Sequence, residues 1–504
     1  MPSTQRQTKD NFIKSKPSPT GEGELLEEYA MLEIIKGVKN ERPFYYFEQI
    51  SKIPRASRNE KAIADYIVAF ANERELYCYR DAENNVLVVK NATQGRENEP
   101  SIMLQAHTDM VAEKNVGTPH NFETDPIELI QEGNILRANG TTLGADDGFG
   151  VSVMLAILEN NELSHPRLEC LFTSSEEVGL DGASAFDYSK IQSRRMINLD
   201  SAEEDTIIIG CCGGIRTELS IPVTFEKGEY KGYKINVGGL CGGHSGEDIN
   251  RGRLNAHIVM GKLLNEIKGK ADFRISYITG GDKDNAIPRE CECVIACQSE
   301  LDLSYLNDFA RTMLVAKEDG ALCVKVEKTN AFVAIPKEDT EKILGILGIR
   351  NAVMYYRTEP PILPETSRNL ARIRTNESNV SICFSSRSYL EYRLDESICE
   401  LDGLAKQVGG TTHHHERYPG WASDKDIPLV KNWQRAFERV SGKITEPTLI
   451  HAGLECGIMT ASVKGLEAIS VGCNVHDLHT PQETMELDSM DKIYEALIEY
   501  LRIS

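Results

Sequence analysis

The sequence holds no apolar run long enough to cross a bilayer. The longest, Phe149 to Leu158, is about half of the roughly 20 residues that a spanning helix requires. The first ten residues, MPSTQRQTKD, contain no apolar segment like that of a secretory signal, so secretion is not expected. Positive charge is also short: Lys and Arg number 56 against 77 Asp and Glu, a net charge of −21. A phosphate-backbone binder needs clustered positive charge, and so does adsorption to an anionic membrane. Neither nucleic acid nor membrane is therefore expected as a partner. The 13 cysteines are odd in number and scattered, with no CxxC spacing. That argues against a zinc ribbon or a compact disulfide framework and points to a reducing, cytoplasmic setting.

What is present suffices for a sizeable core: 40% hydrophobic and 26% charged residues over 504 positions, the size of two or three domains. Residues 1–27 are polar and aperiodic and are expected to be a flexible extension. Beyond them, short apolar strands at 101–106, 168–173, 196–199 and 466–471 alternate with helical periodicity at 59–75 and 148–159. This alternation predicts an α/β fold, a mostly parallel sheet flanked by helices in a first domain built from residues 28–210 and 416–504. Residues 211–415 change character. Strand signals at 234–237, 274–278, 291–297 and 323–327, with helical stretches at 255–268 and 303–316, predict an inserted α+β domain. No internal repeat is evident. His413–His415 reads as a solvated loop, and Cys291 and Cys293 as packing residues alternating along a strand.

The ionisable residues gather at strand ends. In open α/β sheets ligands bind in the crevice at the carboxyl ends of the strands. His107 and Asp109 follow the first strand candidate, Glu176 and Glu177 the second; Asp200 ends the third, and His476 and His479 follow the fourth. Asp146 and Asp147 open the 148–159 helix. Imidazole together with carboxylate suits zinc, less commonly manganese or cobalt. Two ions need roughly three protein ligands each with one carboxylate shared. His107, Asp146, Glu177, Asp200 and His479 give that count, with His476 as the competitor of His479. Asp146 is the natural bridge, because Gly144 and Gly148 let the backbone turn tightly beside it. Asp109 can hold the other imidazole nitrogen of His107, and Glu176 is left free as a general base. Each feature alone has a plainer reading: a structural histidine, a solvated Glu-Glu pair, an Asp-Asp-Gly turn. Their occurrence in order, as HTD, GADDG, SSEE, NLDS and HTPQE, argues against independent coincidences.

The motifs AHTDMV from Ala106, GTTLGADDG from Gly140, EEVGLDGA from Glu176 and NLDS from Asn198 carry a resemblance. With GGHSG from Gly242, HAGLECG from His451 and HTP from His479, they resemble the zinc-dependent aminoacyl-histidine (Xaa-His) dipeptidases. These are cytosolic non-specific dipeptidases within the zinc carboxypeptidase and aminoacylase superfamily, and the likeness runs from about Met31 to the end of the chain. The resemblance implies two Zn2+ per chain, with Co2+ or Mn2+ as substitutes. His107 and Asp200 would hold one, Glu177 and His479 the other, and Asp146 would bridge them. It further implies that Asp109 orients His107, that Glu176 activates the attacking water, and that the bond after the bridging aspartate is cis. The resemblance makes residues 28–210 and 416–504 the catalytic domain and residues 211–415 a lid, whose His244 would polarise the scissile carbonyl and whose Arg387 would take the substrate's terminal carboxylate as a fork. The implied reaction is hydrolysis of dipeptides, Xaa-His including β-alanyl-histidine, by a cytoplasmic homodimer. The rivals are a deacylase of N-acyl amino acids on the same scaffold and a non-catalytic metal-binding relative. The presence of Glu176 and all five ligand candidates weighs against the latter.

Overall fold

The structure, a computed structural model, describes residues 32–358 and 362–503, so the extension expected at 1–27 lies outside the described residues. Two nine-stranded sheets organise the chain. The first runs in the order Tyr77–Arg80, Val86–Lys90, Leu168–Thr173, Ile102–His107, Arg195–Asn198, Glu467–Ser470, Thr206–Cys211 and Trp421–Ala422, with Glu446–Ile450 pairing onto Thr206–Cys211. Its centre is parallel: Leu168–Thr173, Ile102–His107, Arg195–Asn198 and Glu467–Ser470 all run in one direction. Leu168–Thr173 and Ile102–His107 are buried at every position. That is the pattern of strands covered on both faces.

The longest apolar run becomes the helix Ala145–Glu159, buried along nearly its whole length. It packs between Ile102–His107 and the helix Glu41–Ser51, which explains why it is apolar all round. Helix Pro428–Ser441 has a single apolar face instead, burying Leu429, Val430, Trp433, Ala436 and Phe437. It opens with proline in its first turn and ends on Gly442 at φ 72, each residue suited to its end.

The second sheet has the order Cys323–Ala334, Glu226–Gly238, Cys291–Cys297, Arg274–Gly280, Pro364–Thr375, Asn379–Ser388, Gly213–Pro222 and Thr411–Tyr418. All its pairings are antiparallel. Helices Ala256–Lys268 and Lys337–Leu347 contribute to its separate apolar core. The chain passes from the first sheet to the second between Cys211 and Gly213 and returns between Tyr418 and Trp421. The two passages lie side by side. A Cβ on Gly213 would stand 2.8 Å from the Gly420 amide nitrogen, and one on Gly420 would stand 2.7 Å from that of Gly213. This approach is open only to glycine at both positions.

Two expectations are corrected. The helix expected over 303–316 is confined to Leu306–Arg311. The chain turns away because the buried Asp319 carboxylate accepts hydrogen bonds from the Cys241 and Leu254 amides, at 2.9 and 2.6 Å. His413–His415 is not a loop: it lies in the strand Thr411–Tyr418 at the edge of the second sheet. His414 bonds to Thr217 and Asp402, while the rings of His413 and His415 stack together 5.4 Å apart, the alternation of a strand. Cys291 and Cys293 are buried packing residues, and every cysteine is a free thiol. Among the described residues no helix is long and apolar enough to cross a membrane.

Candidate metal centre

The parallel strands deliver the predicted residues to one edge of the first sheet. His107 closes Ile102–His107, Asp200 follows Arg195–Asn198 by two residues, and Glu176 and Glu177 follow Leu168–Thr173. Asp146 stands in the first turn of Ala145–Glu159 with non-helical φ −80 and ψ 111, and its bond to Asp147 is cis. The two oxygens of Asp146 face different imidazoles. Oδ1 is 2.9 Å from His107 Nε2, and Oδ2 is 3.2 Å from His479 Nε2. Asp200 Oδ1 lies 3.8 Å from His107 Nε2, and Glu177 Oε1 lies 3.1 Å from His479 Nε2. The five predicted ligands thus fall into two trios that share Asp146. His476 is apart from them, exposed and paired with Glu486 at 3.1 Å.

The donor set fits cations. His107, Asp146 and Glu177 offer ligand atoms within 4.8 Å of one another, and so do His107, Asp147 and Asp200. Glu177 Oε1 is buried and receives no hydrogen bond in spite of its closeness to His479. Asp147, which the sequence reading left without a role, has both oxygens engaged by backbone. Oδ2 accepts from the His107 amide at 3.3 Å and Oδ1 from the Gly150 amide at 3.1 Å. We therefore assign it to holding the strand end rather than to the ligand set.

The carboxyls of this cluster are crowded together. Burial pushes the Glu176, Glu177 and Asp200 carboxyls up, and their charged neighbours add to it: Glu177 beside Glu176, and Asp146 beside the other two. The partial desolvation of His479 opposes its charge, yet the hydrogen bond to Asp146 and the Glu177 carboxylate beside it hold its pKa up to about 11, although the side chain is 43% exposed. Asp146 is buried too, but bonds from the two imidazoles pull it well below the usual carboxylate range. Carboxylates this close resist joint ionisation unless positive charge lies among them.

The supporting residues surround the ligands. Asp109 Oδ1 is 3.4 Å from His107 Nδ1, and that ring nitrogen also lies 3.1 Å from the Asp109 carbonyl. The Asp109 carboxylate accepts in addition from the amides of Glu176 and Glu177, at 3.0 and 3.3 Å, which fixes the backbone of both. His244 and Arg387 meet each other. Arg387 Nη2 lies 3.3 Å from His244 Nε2, and its Nη1 donates to Tyr418 at 2.7 Å. Burial, then the charges of Arg387 and His479, press His244 well below the ordinary histidine range, so its ring is neutral. Arg387 Nε is buried without a partner.

Three buried charged residues behind the centre have no role in the sequence reading: Arg55 and Glu483 were missed, and Glu455 was noticed with its role left open. Arg55 donates to the carbonyls of Thr108 and Asp109, each at 3.2 Å, and to that of Gly144, tying two ligand-bearing loops together. Its position before the first motif gives no signal. Glu483 lies inside HTPQE and Glu455 inside HAGLECG, motifs noticed without a role for these positions. Glu455 Oε2 accepts from Gln105 and from Thr173 Oγ1 at 2.7 Å, whereas its Oε1 is buried without a donor. Burial raises this carboxyl from 4.5 to about 7. The folded chain therefore binds a proton there that the unfolded chain has released, and stability falls as pH rises from 4.5 towards 7. Glu455→Gln removes this titration. In the metal-free protein its gain in Tm over the native chain is expected to be several degrees larger at pH 8 than at pH 5. Equal gains at both would count against a titrating Glu455.

Comparisons with known proteins bear on the family. The profile of Peptidase family M20/M25/M40 matches residues 103–503. The chain belongs to that family. This M20 peptidase is 33% identical over 465 residues to the cytosol non-specific dipeptidase of Escherichia coli (strain K12), covering 90% of its own length and 96% of that protein. It also superposes on the crystal structure of aminoacylhistidine dipeptidase from Vibrio alginolyticus with a TM-score of 0.75 and 30% identity, covering 92% and 97% of the two chains. The aminopeptidase PepT of Bacillus cereus, at a TM-score of 0.54 and 15% identity over 92% and 98%, shares the fold. The likeness to aminoacyl-histidine dipeptidases and the metallopeptidase class, both expected from the motifs, hold for this M20 peptidase.

Proposed function

We propose that this M20 peptidase hydrolyses dipeptides in the cytosol, Xaa-His dipeptides among them, at a dinuclear zinc centre. The observation that carries the reading is Asp146, whose two oxygens address His107 and His479 separately. His107 and Asp200 would hold one ion and Glu177 and His479 the other. The names of the Escherichia coli and Vibrio alginolyticus relatives support the substrate class. Zinc bound there lowers the pKa of a water and polarises the scissile carbonyl.

The chain's own residues do the rest. Glu176, fixed through its amide by Asp109, takes the proton of the attacking water and passes it to the nitrogen of the leaving amine. His244, held neutral, hydrogen-bonds the carbonyl oxygen as charge develops on it. Arg387 presents its unpartnered Nε to the terminal carboxylate of the peptide. We propose that residues 211–415, which carry both, close over the site as a lid. The test is release of free histidine from β-alanyl-histidine and leucyl-histidine by zinc-loaded protein, with and without chelator. Release that stops on chelation and returns with zinc supports the reading. No release from either peptide, with turnover of N-acyl amino acids instead, would favour a deacylase.

A further inference from the structure

One buried side chain near the centre is used by none of the steps above. The Glu483 carboxylate is 2% exposed and accepts four successive backbone amides. Oε2 takes those of Leu143 and Gly144 at 2.8 and 3.0 Å, and Oε1 those of Ala145 and Asp146 at 2.8 and 3.3 Å. These amides include donors that the start of the Ala145–Glu159 helix leaves unsatisfied. The acceptor comes from a residue 337 positions from Asp146, not from a neighbour in sequence.

The backbone of Glu483 holds the other half of the centre. Its amide donates to the Thr480 carbonyl at 3.1 Å, while Thr480 Oγ1 bonds to the Asp477 carbonyl at 2.7 Å. These bonds close a tight turn around His479, which sits at φ 62. The next strand, Thr484–Glu486, pairs with Ile135–Ala138, so the two segments are stapled just after His479 in one and before Asp146 in the other. Glu483 is the last fastening between them. Its main chain belongs to the His479 turn, and its side chain grips the backbone of Asp146.

From this we infer that Glu483 is a positioning residue, setting the distance between Asp146 and His479 and thereby the affinity of the site they share. The inference rests on Asp146 being a shared ligand. A helix cap with no further part would lower stability when removed and leave metal affinity in the folded protein unchanged. Glu483→Gln keeps the shape but replaces one acceptor oxygen with an amide donor facing other donors. In the folded variant, zinc affinity measured by chelator competition is expected to fall about 10–100-fold at the weaker site, as for other residues that orient a ligand. The visible absorption of the Co2+-loaded protein should shift as well. Glu483→Asp keeps the charge and shortens the reach; it should weaken zinc in the same direction and carries the test if Glu483→Gln does not fold. A lower Tm with unchanged zinc affinity and an unchanged Co2+ spectrum would overturn the inference. Native protein binding fewer than two zinc ions would instead overturn the dinuclear reading, before any variant is compared.

Discussion

Glu176→Gln is expected to lower kcat on dipeptides by about 10²–10⁴-fold, the usual contribution of a positioned general base, while two zinc ions remain bound. The amide of Glu176 is pinned by Asp109, and its carboxyl is buried next to Glu177. Neither feature is needed for metal retention, since the ligand set closes without it. Glutamine preserves the shape and the backbone hydrogen bond but cannot accept a proton. The loss should therefore fall on kcat, with KM little changed, because the interaction removed belongs to the transition state. The pH profile supplies an independent check. Burial and Glu177 raise the Glu176 carboxyl above its usual range, whereas cations bound beside it would draw it back down. Activity requires the ionised form, so kcat should rise with pH through an acid limb, and that limb should vanish from the residual activity of the variant. Histidine release measured from pH 4 to pH 9, with zinc counted by atomic absorption, decides the matter. A variant within tenfold of the native rate would remove Glu176 from the mechanism.

The sequence was most legible where chemistry coincides with topology. Ligands belong at the carboxyl ends of parallel strands, so HTD, SSEE and NLDS could be placed in one crevice from the strand pattern alone. The residues that support them follow no such rule. Glu483 reaches the Asp146 loop across 337 positions, and Glu455 reaches Gln105 across 350. Their roles arise only when distant segments close on each other, and a buried glutamate within a motif reads the same as an exposed one. Arg55 is less visible still, one cation among Lys52, Arg58 and Lys61 in a polar stretch, and the fold buries it beneath the ligand loops. The misread helix at 303–316 has a similar origin. Its periodicity is genuine, but Asp319 bonds to two remote amides and redirects the chain. His413–His415 was obscured for another reason. On an edge strand both faces tolerate polar residues, so no apolar alternation marks it.

Asp146→Ala should have an effect of a different kind from Glu176→Gln, and the contrast with Asp200→Ala identifies the bridge. If Asp146 serves both ions, its loss removes one ligand from each trio, and the variant should keep less than one zinc per chain after gel filtration. Hydrolysis should then fall further than in Glu176→Gln, because both activation of the water and polarisation of the carbonyl depend on the ions. Of the two imidazoles Asp200 approaches only that of His107, so Asp200→Ala should lose a single zinc and retain the other. The protonation state of the metal-free protein gives a second readout. His479 is held near 11 by Asp146 and Glu177 together. Deleting Asp146 takes away one of these partners, and the pKa of His479, followed by its imidazole proton resonances, should drop. The same resonances in Asp200→Ala should stay close to those of the native chain, because Asp200 is not among the groups that hold His479 up. If Asp146→Ala retained two zinc ions, or lost no more than Asp200→Ala, Asp146 would be a ligand to one ion alone and the centre would need a different bridge.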